Sequence, residues 1–330
     1  AEQLARIDFG FAMSVINTHN VGLRLATSAS EALRRRYLPE LLAGRMAACT
    51  ALTEPEAGSD VARMLTVAAR DGDGWRLHGE KTWIVNARRA GLAIVFAQCG
   101  AVSDAAGIGA FAVDLGAGGV RRHAIDAPFS QTSMGTGRIT LDGVRVPADH
   151  LLLPPGEAFR TILREINGAR AYVAAMCCGM LAEALERAAA HGAERHVFGK
   201  PLREHPAWAG ELARAACALD AARALSARAV EAVEAAEAVE ASAAAEDAQR
   251  IAAEAKIVAV ETCQRELPAL LHAMGAAGLA AEHPFARHLA AAQMAGFTDG
   301  ATWLLRARVA RLGLRGAAAR DVTTNERKEG

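Results

Sequence analysis

The sequence predicts an α+β fold with a helical start, a central antiparallel β-barrel-like domain and a C-terminal four-helix bundle. Apolar residues of the first 45 recur at helical spacing, and residues 46–154 alternate short apolar runs with Gly, Asp and Asn. After Pro154 and Pro155 the chain is alanine-rich with a helical period. Since 330 residues are long for one domain, we expect three parts, over 1–45, 46–154 and 155–330.

The first part contains two predicted helices. In the first helix Leu4, Ile7, Phe11 and Val15 fall on one face, and the second ends over 37–42.

The second part contains the predicted strands, which we place at 66–69, 75–78, 92–98, 109–114, 119–125 and 138–141. The Asp-Gly-Asp-Gly sequence at 71–74 indicates a hairpin between the first two. These strands predict an antiparallel β-domain.

The third part contains four long periodic segments, over 158–192, 206–240, 243–272 and 284–312. Four long helices form an antiparallel bundle. The glutamate-rich stretch 230–246 is interpreted as a solvated helix end and loop.

Composition excludes several classes of protein. Lys and Arg number 37 against 37 Asp and Glu, so no field of one sign favours nucleic acid or an anionic membrane. The six cysteines make no CxxC pair, which argues against a zinc site or a disulfide framework and fits a reducing cytoplasm. No apolar run reaches the roughly 20 residues that span a bilayer. We expect a soluble cytoplasmic protein without a bound metal.

The stretch 52–60, LTEPEAGSD, is the most informative segment. Thr53 and Ser59 supply hydroxyls, while Pro55 and Gly58 force a sharp turn that exposes backbone N–H groups. An anion or a flat polar heterocycle suits such a turn. The alternative is an ordinary turn capped by its Ser and Asp.

The segment 79–87, GEKTWIVNA, follows about twenty residues later. The two segments together resemble the flavin-contacting patterns TEPxAGSD and GxKxWITN of the acyl-CoA dehydrogenase family. This resemblance implies an FAD cofactor, with the following contacts in the first segment: Leu52, Thr53, Gly58 and Ser59.

In the second segment the resemblance places Trp83 beside the isoalloxazine; taken alone, Trp83 is equally well a core aromatic of a strand. Val85 stands where the family has a Thr or Ser that donates to flavin N5. Only the backbone N–H of Val85 is left for that contact.

The segment 195–202, RHVFGKPL, resembles the family pattern RxxFGKxL, in which the arginine reaches the FAD pyrophosphate of a neighbouring subunit. The resemblance implies that Arg195 and Phe198 contact FAD in a dimer or homotetramer. Pro206 replaces a family glutamine and removes one contact. The alternative is a helix connection with Gly199 as its C-cap.

The segment 274–278, MGAAG, resembles the family GGxG segment that approaches the FAD diphosphate. Gly275 and Gly278 match its outer glycines. Small residues between helices also serve packing alone.

The segment 297–302, FTDGAT, falls where the family has YEGT with its catalytic glutamate. The resemblance makes Asp299 the base, one methylene shorter, and places Thr298 and Gly300 beside the substrate. Ala301 stands where the family has a threonine that contacts FAD. The alternative is that Asp299 caps the last helix.

A subset of the family places its base beside the arginine of the first long C-terminal helix. Here the neighbour of Arg170 is Ala169, so Asp299 is the base candidate that the resemblance offers. Arg170 is expected to contribute to substrate binding.

The five segments imply an FAD-dependent acyl-CoA or acyl-carrier-protein dehydrogenase of fatty acid metabolism. By this resemblance, Asp299 is expected to remove the pro-R α-proton while the β-hydride passes to flavin N5, and the backbone N–H of residue 299 with the ribityl hydroxyl is expected to polarise the thioester carbonyl. Electrons then pass to an electron-transfer flavoprotein. By the same resemblance, residues 1–45 are the remnant of an N-terminal helical domain.

Two alternatives stay open. The same fold serves nitroalkane oxidases, which also use an aspartate base, and flavin-dependent monooxygenases. A non-catalytic member that binds a thioester or a partner is favoured by the changes at Val85, Pro206 and Ala301.

Overall fold

The computed structural model describes residues 1–100, 104–127, 129, 132–238 and 242–313. The chain forms two compact units, one over Phe9–Arg164 and one that combines Ala1–Asp8 with the chain from Glu165 onward. They are called the β-unit and the helical unit below.

The helices are α1 (Glu2–Ile7), α2 (Phe9–Ser28), α3 (Glu31–Leu42), α4 (Ala158–Glu194), α5 (Pro206–Ala238), α6 (Ser242–Ala273), α7 (Phe285–Ala295) and α8 (302–313). The strands are β1 (Ala48–Ala51), β2 (Val67–Asp71), β3 (Gly74–Ile84), β4 (Leu92–Gln98), β5 (Ile108–Asp114), β6 (Val120–Ala124), β7 (Gly137–Val146), β8 (Leu151–Leu153), β9 (His196–Val197) and β10 (Lys200–Pro201).

The β-unit is built on an eight-stranded sheet in the order β6-β7-β3-β2-β4-β5-β8, with β1 paired to β4. The predicted hairpin is confirmed, because Asp71 pairs with Gly74 and Gly72 has a φ of +62°. The sheet is mainly antiparallel, as predicted, with the exception that β1 and the start of β2 run parallel to β4. The sequence interpretation missed β1 and β8, which have only four and three residues.

The core of the β-unit is formed by the inward faces of the sheet. Trp75 packs edge-on against Phe111 with ring centroids 5.3 Å apart, and Leu77, Val95 and Ile139 are fully buried around them. Strands β4 and β5 are buried at nearly every position, which explains their continuous apolar sequence. The packed sheet fixes the position of β3, which carries Lys81 and Trp83.

Helix α2 belongs to the β-unit and buries Phe9, Met13, Val21 and Leu25. Of the apolar face predicted for the first helix, Ile7, Phe11 and Val15 are exposed. The prediction of one helix there is wrong: the chain breaks at Asp8, and α2 buries a different face, the one that carries Phe9 and Met13.

Helices α1, α5, α6, α7 and α8 and most of α4 make up the helical unit. Gly179 of α4 admits α1 closely, because a Cβ there would lie 2.2 Å from the Glu2 carbonyl oxygen. Trp208 of α5 donates to the Ala273 carbonyl of α6 at 2.8 Å, and Gln264 of α6 donates to the Ala292 carbonyl of α7 at 3.1 Å. The predicted bounds of α4, α5 and α6 agree within about two residues.

The prediction of one continuous last helix over 284–312 is wrong. Helix α7 ends at Ala295 and α8 begins at residue 302, so residues 296–301 form a turn. Asp299 and Gly300 have φ angles of +53° and +107°, which no helix accommodates. The break therefore falls on the segment that carries the candidate base.

The glutamate-rich stretch is more helical than expected, since α5 continues to Ala238 and α6 starts at Ser242; the residues between them lie outside the described ranges. In the described part of the chain, no helix combines the length and the apolar character needed to cross a membrane.

Candidate active site

The segment 52–60 forms a tight turn in the β-unit. Glu54 and Ala57 exchange backbone hydrogen bonds of 3.2 and 3.3 Å around Pro55. The backbone N–H groups and hydroxyls of Thr53 and Ser59 donate no hydrogen bond within the described residues. The turn thus leaves donors available for a ligand, as the sequence predicts.

A buried ion pair between Lys81 and Glu54 stabilises this turn. Lys81 of β3 is fully buried and its Nζ donates to Glu54 Oε1 at 2.7 Å and to the Leu52 carbonyl at 3.0 Å. The Glu54 carboxylate also accepts the backbone N–H groups of Leu65, at 2.5 Å, and Thr66, at 3.0 Å. Burial acts to raise the pKa of Glu54, but the Lys81 charge and these hydrogen bonds lower it below its ordinary value. Leu52 is held through its carbonyl.

Trp83 lies where the pairing of β3 with β7 shifts register, between Lys81 and Ile84. Its φ of +57° is rare for a bulky residue, and 57% of its surface is exposed. Trp83 is therefore not a core aromatic within its unit. The backbone N–H of Val85 donates no hydrogen bond within the described residues, so it is available for the contact that its side chain lacks.

Asn86 anchors the segment that follows the end of β3. It is buried and has a φ of +65°. Its Nδ2 donates to the carbonyls of Ser14 and Ala48 at 3.0 and 2.9 Å, and its Oδ1 accepts from the Ser14 hydroxyl at 2.6 Å. These bonds connect the end of β3 to α2 and β1.

In the helical unit, Arg195 follows α4 directly, is exposed, and accepts the Leu202 N–H on its carbonyl at 2.7 Å. The β9–β10 hairpin after it has positive φ at Phe198, +51°, and Gly199, +82°, as a type I′ turn requires. A phenylalanine in this position is strained, and Phe198 is 93% exposed.

The two predicted glycines after α6 differ in their surroundings. Gly275 has a φ of +62° and open space where a Cβ would lie, whereas a Cβ on Gly278 would lie 2.7 Å from Leu271 Cδ1. Gly278 thus allows close packing inside the helical unit, and Gly275 ends the helix.

Asp299 lies in the turn between α7 and α8. Its carboxylate accepts no hydrogen bond and makes no ion pair within the described residues, and its backbone N–H is also without an acceptor there. The cap interpretation is wrong, because Ala301 precedes α8 and its carbonyl accepts the first helical bond, from Leu305 N. Thr298 donates from its hydroxyl to the Met294 carbonyl at 3.3 Å.

Two buried cations hold the backbone of this turn. Arg170 of α4 donates from Nε to the Asp299 carbonyl at 3.0 Å and from Nη1 to Asn167 Oδ1 at 2.6 Å. Lys256 of α6, fully buried, donates from Nζ to the Gly300 carbonyl. The structure therefore brings together Arg170, Asp299 and Gly300 of the predicted set and adds Lys256.

Burial governs the ionisation of this group. It raises the pKa of the Asp299 carboxyl, against the charges of Lys256 and Arg170. It lowers the pKa of Lys256 to about 8 and that of Arg170 to about 10, with Asp299 opposing both changes. A carboxylate with a raised pKa and no hydrogen-bond partner is a competent proton acceptor.

Three residues of these sites were missed from the sequence: Glu54, Lys81 and Lys256. Glu54 and Lys81 stand inside the quoted patterns without an assigned role. Lys256 lies in the mostly apolar stretch 251–260 of α6, where a lysine among buried positions was the available signal.

The β-unit residues fit an FAD. The exposed indole of Trp83 offers a flat apolar surface, and the unpartnered donors of Thr53, Ser59 and Val85 suit an electron-rich heterocycle and a pyrophosphate.

The chain matches the family profile for the acyl-CoA dehydrogenase middle domain over residues 49–144 and the profile for the acyl-CoA dehydrogenase C-terminal domain over residues 156–314. These matches define a flavoprotein oxidoreductase that acts on CH–CH donors. The chain belongs to the acyl-CoA dehydrogenase family, and its cofactor is FAD. The predictions of family and fold class are confirmed.

Among curated relatives, a glutaryl-CoA dehydrogenase of Desulfococcus multivorans is 31% identical over 80% of this chain and 66% of its own length. The short-chain specific acyl-CoA dehydrogenase of Bos taurus mitochondria is 29% identical over 91% of this chain and 71% of its own length. Among solved structures, butyryl-CoA dehydrogenase of Megasphaera elsdenii superposes with a TM-score of 0.85 at 27% identity, over 95% of this chain and 80% of that one.

Proposed function

We propose that this protein is an FAD-dependent dehydrogenase that introduces a Cα–Cβ double bond into an acyl thioester, with Asp299 as the base. The observation that carries this proposal is the Asp299 turn: an unpartnered carboxylate, on a left-handed backbone held by two buried cations, at the position of the family base. Left-handed non-glycine residues persist where surrounding contacts hold them in place, and they concentrate at active sites.

The residues that hold FAD are, in this proposal, Leu52, Thr53, Gly58, Ser59, Trp83 and Val85, with Arg195, Phe198, Gly275, Gly278 and Ala301. When bound, FAD supplies the acceptor for the β-hydride. The exposed Arg195 and Phe198 are assigned to the cofactor of a neighbouring subunit, so the protein acts as a dimer or tetramer.

Asp299 receives the α-proton of the thioester, and its unpartnered backbone N–H donates to the thioester carbonyl. Arg170 acts by donating a hydrogen bond to the Asp299 carbonyl rather than by pairing with a charge on the substrate. Thr298 and Gly300 line the substrate side. Because Thr298 is smaller than the family's tyrosine, we assign a branched, cyclic or polar acyl group as the preferred substrate class.

The visible spectrum of the purified protein tests the proposal. A flavin spectrum that bleaches on addition of an acyl thioester from a CoA and carrier-protein panel is expected, with reoxidation faster by an electron-transfer flavoprotein or dye than by oxygen. Flavin that no thioester bleaches contradicts the proposal.

A nitroalkane oxidase is the second candidate, because this chain has an aspartate at the base position. Turnover of a nitroalkane with oxygen, without bleaching by thioesters, would assign that function instead. Purified protein without flavin absorbance would favour the non-catalytic alternative.

A further inference from the structure

Lys256 is a fully buried lysine near the middle of α6. Burying an ammonium costs free energy unless hydrogen bonds and an opposite charge compensate for it. The hydrogen bonds and charges that stabilise the buried Lys256 ammonium therefore indicate what this residue does.

Lys256 makes no ion pair with a carboxylate within the described residues. Its hydrogen bond is to the Gly300 carbonyl, and the negative charge that acts most strongly on it is that of Asp299. Both partners belong to the turn between α7 and α8.

The turn needs external support. Asp299 and Gly300 both have positive φ, and the turn is bridged by the backbone N–H and the hydroxyl of Thr302, which donate to the Gly296 carbonyl at 2.9 and 3.1 Å. Arg170 from α4 holds the Asp299 carbonyl, and Lys256 from α6 holds the next carbonyl along the chain. Two helices thus fix two successive peptide groups.

We propose that Lys256 is a positioning residue for Asp299: its ammonium fixes the turn through the Gly300 carbonyl, and its charge favours the ionised, proton-accepting form of the Asp299 carboxylate. The inference rests on the proposed function of Asp299 as the base. Lys256 itself touches neither substrate nor cofactor in this account.

The charged and titratable groups around Lys256 agree with this role. Asp299 acts on it from the turn, and Arg170 and Cys177 act on it from α4. For Asp299, the two opposing cations are Lys256 and Arg170. Among the described residues, removal of the Lys256 charge leaves Arg170 to oppose the effect of burial, so the carboxyl should hold its proton up to a higher pH.

The test compares Lys256→Met, which removes both the charge and the donor, with Lys256→Arg, which keeps both. Arg6→Gln is the matched control, because Arg6 is a half-buried cation of the same unit that pairs with Glu183 and has no contact with the turn. Lys256→Gln, whose amide nitrogen ends about one bond short of the Lys256 Nζ position, replaces the Met variant if that protein does not fold.

Two readouts do not depend on turnover. Amide hydrogen exchange over residues 296–302 should be roughly tenfold faster or more in Lys256→Met than in the parent, and unchanged in Arg6→Gln. The infrared carboxyl band of Asp299, obtained as the difference between each protein and its Asp299→Asn derivative, should titrate about one pH unit higher in Lys256→Met.

Rapid mixing with a thioester provides the third readout. The rate of flavin reduction should fall roughly ten- to hundredfold in Lys256→Met at pH 7. The acidic limb of its pH–rate profile should move to higher pH. In Lys256→Arg the rate should return largely to that of the parent. A folded Lys256→Met protein with the exchange, the carboxyl titration and the rate of the parent overturns the inference. If no thioester reduces the parent, the proposed function fails, and the exchange and infrared results decide the role of Lys256 separately.

Discussion

At the scale of single residues, the site depends on side chains that hold the backbone rather than on the reactive groups alone. Lys81 fixes the Leu52 carbonyl and the Glu54 carboxylate under the turn at 52–60. Arg170 fixes the Asp299 carbonyl. In both places a buried cation sets the conformation of a segment whose own sequence favours a flexible turn.

Lys81→Met should lower the free energy of unfolding by about 3–5 kcal/mol, because it leaves the Glu54 carboxylate buried without its counter-ion. Denaturant titration measures the change. In the double variant Lys81→Met/Glu54→Gln the loss should be clearly smaller than the sum of the single losses. Strictly additive losses would show that the pair contributes nothing as a pair.

The short side chain of Asp299 should determine the acyl group. Aspartate carries its carboxylate about 1.5 Å nearer its backbone than glutamate, and an ångström-scale misplacement costs on the order of a hundredfold in rate. Asp299→Glu should therefore shift preference towards straight-chain thioesters. The ratio of kcat/KM for straight-chain and branched substrates is the measurement, and an unchanged ratio would contradict this role.

At the scale of elements, the sequence predicted the regular parts and missed the interruptions. Helices α4 to α6 have long periodic segments bounded by Pro, Gly and polar residues, and such signals are local. The break between α7 and α8 was missed because periodicity continues through it. The left-handed φ of Asp299 depends on Arg170 and Lys256, which lie far away in sequence.

The sequence patterns identified the segments that form the candidate site. The roles of Glu54, Lys81 and Lys256 could not be predicted, because they depend on tertiary contacts. The face of α2 was misjudged for the same reason. Phe11 and Val15 fit an apolar period as well as Phe9 and Met13 do, and only packing distinguishes the buried set.

Helix α7 contains a buried group that should make the helical unit sensitive to acid. His288 is fully buried, and neither ring nitrogen has a hydrogen-bond partner in the described part of the chain. Burial lowers the pKa of His288 to about 4, assisted by the charge of Arg287 and opposed first by the backbone of Arg6 and then by the charges of Glu183 and Asp8.

The unfolded state therefore binds more protons than the folded state between pH 6.5 and about 4. Stability should decrease as pH falls through this window, by on the order of 3 kcal/mol from this group. His288→Leu should lose less stability than the parent between these pH values in denaturant titrations. His272→Leu, at an exposed position of α6, is the control; equal acid sensitivity of the His288 variant and the parent would contradict the assignment.

At the scale of the whole molecule, the proposal requires FAD to be shared between subunits. Phe198 is almost fully exposed on a strained hairpin beside Arg195, as expected for a surface that another chain covers.

Arg195→Ala should weaken FAD binding by roughly 2 kcal/mol, about 30-fold, because a charge-assisted contact to phosphate is lost. Arg203→Ala, an exposed arginine of the same segment, is the control. Equilibrium titration of the apoprotein with FAD gives the affinities, and gel filtration gives the oligomeric state. A monomer that retains tight FAD binding would refute the shared site.

The central claim is that the Asp299 carboxylate removes the α-proton, and rapid mixing of the Asp299→Asn protein with an acyl thioester tests it most directly. The asparagine is nearly isosteric, so FAD content and thioester affinity should stay at parent values, as they should in the surface control Asp247→Asn. The rate of flavin bleaching should fall by roughly a hundred- to ten-thousandfold in Asp299→Asn alone. Bleaching of Asp299→Asn at the parent rate would show that another group removes the proton and that the base assignment is wrong.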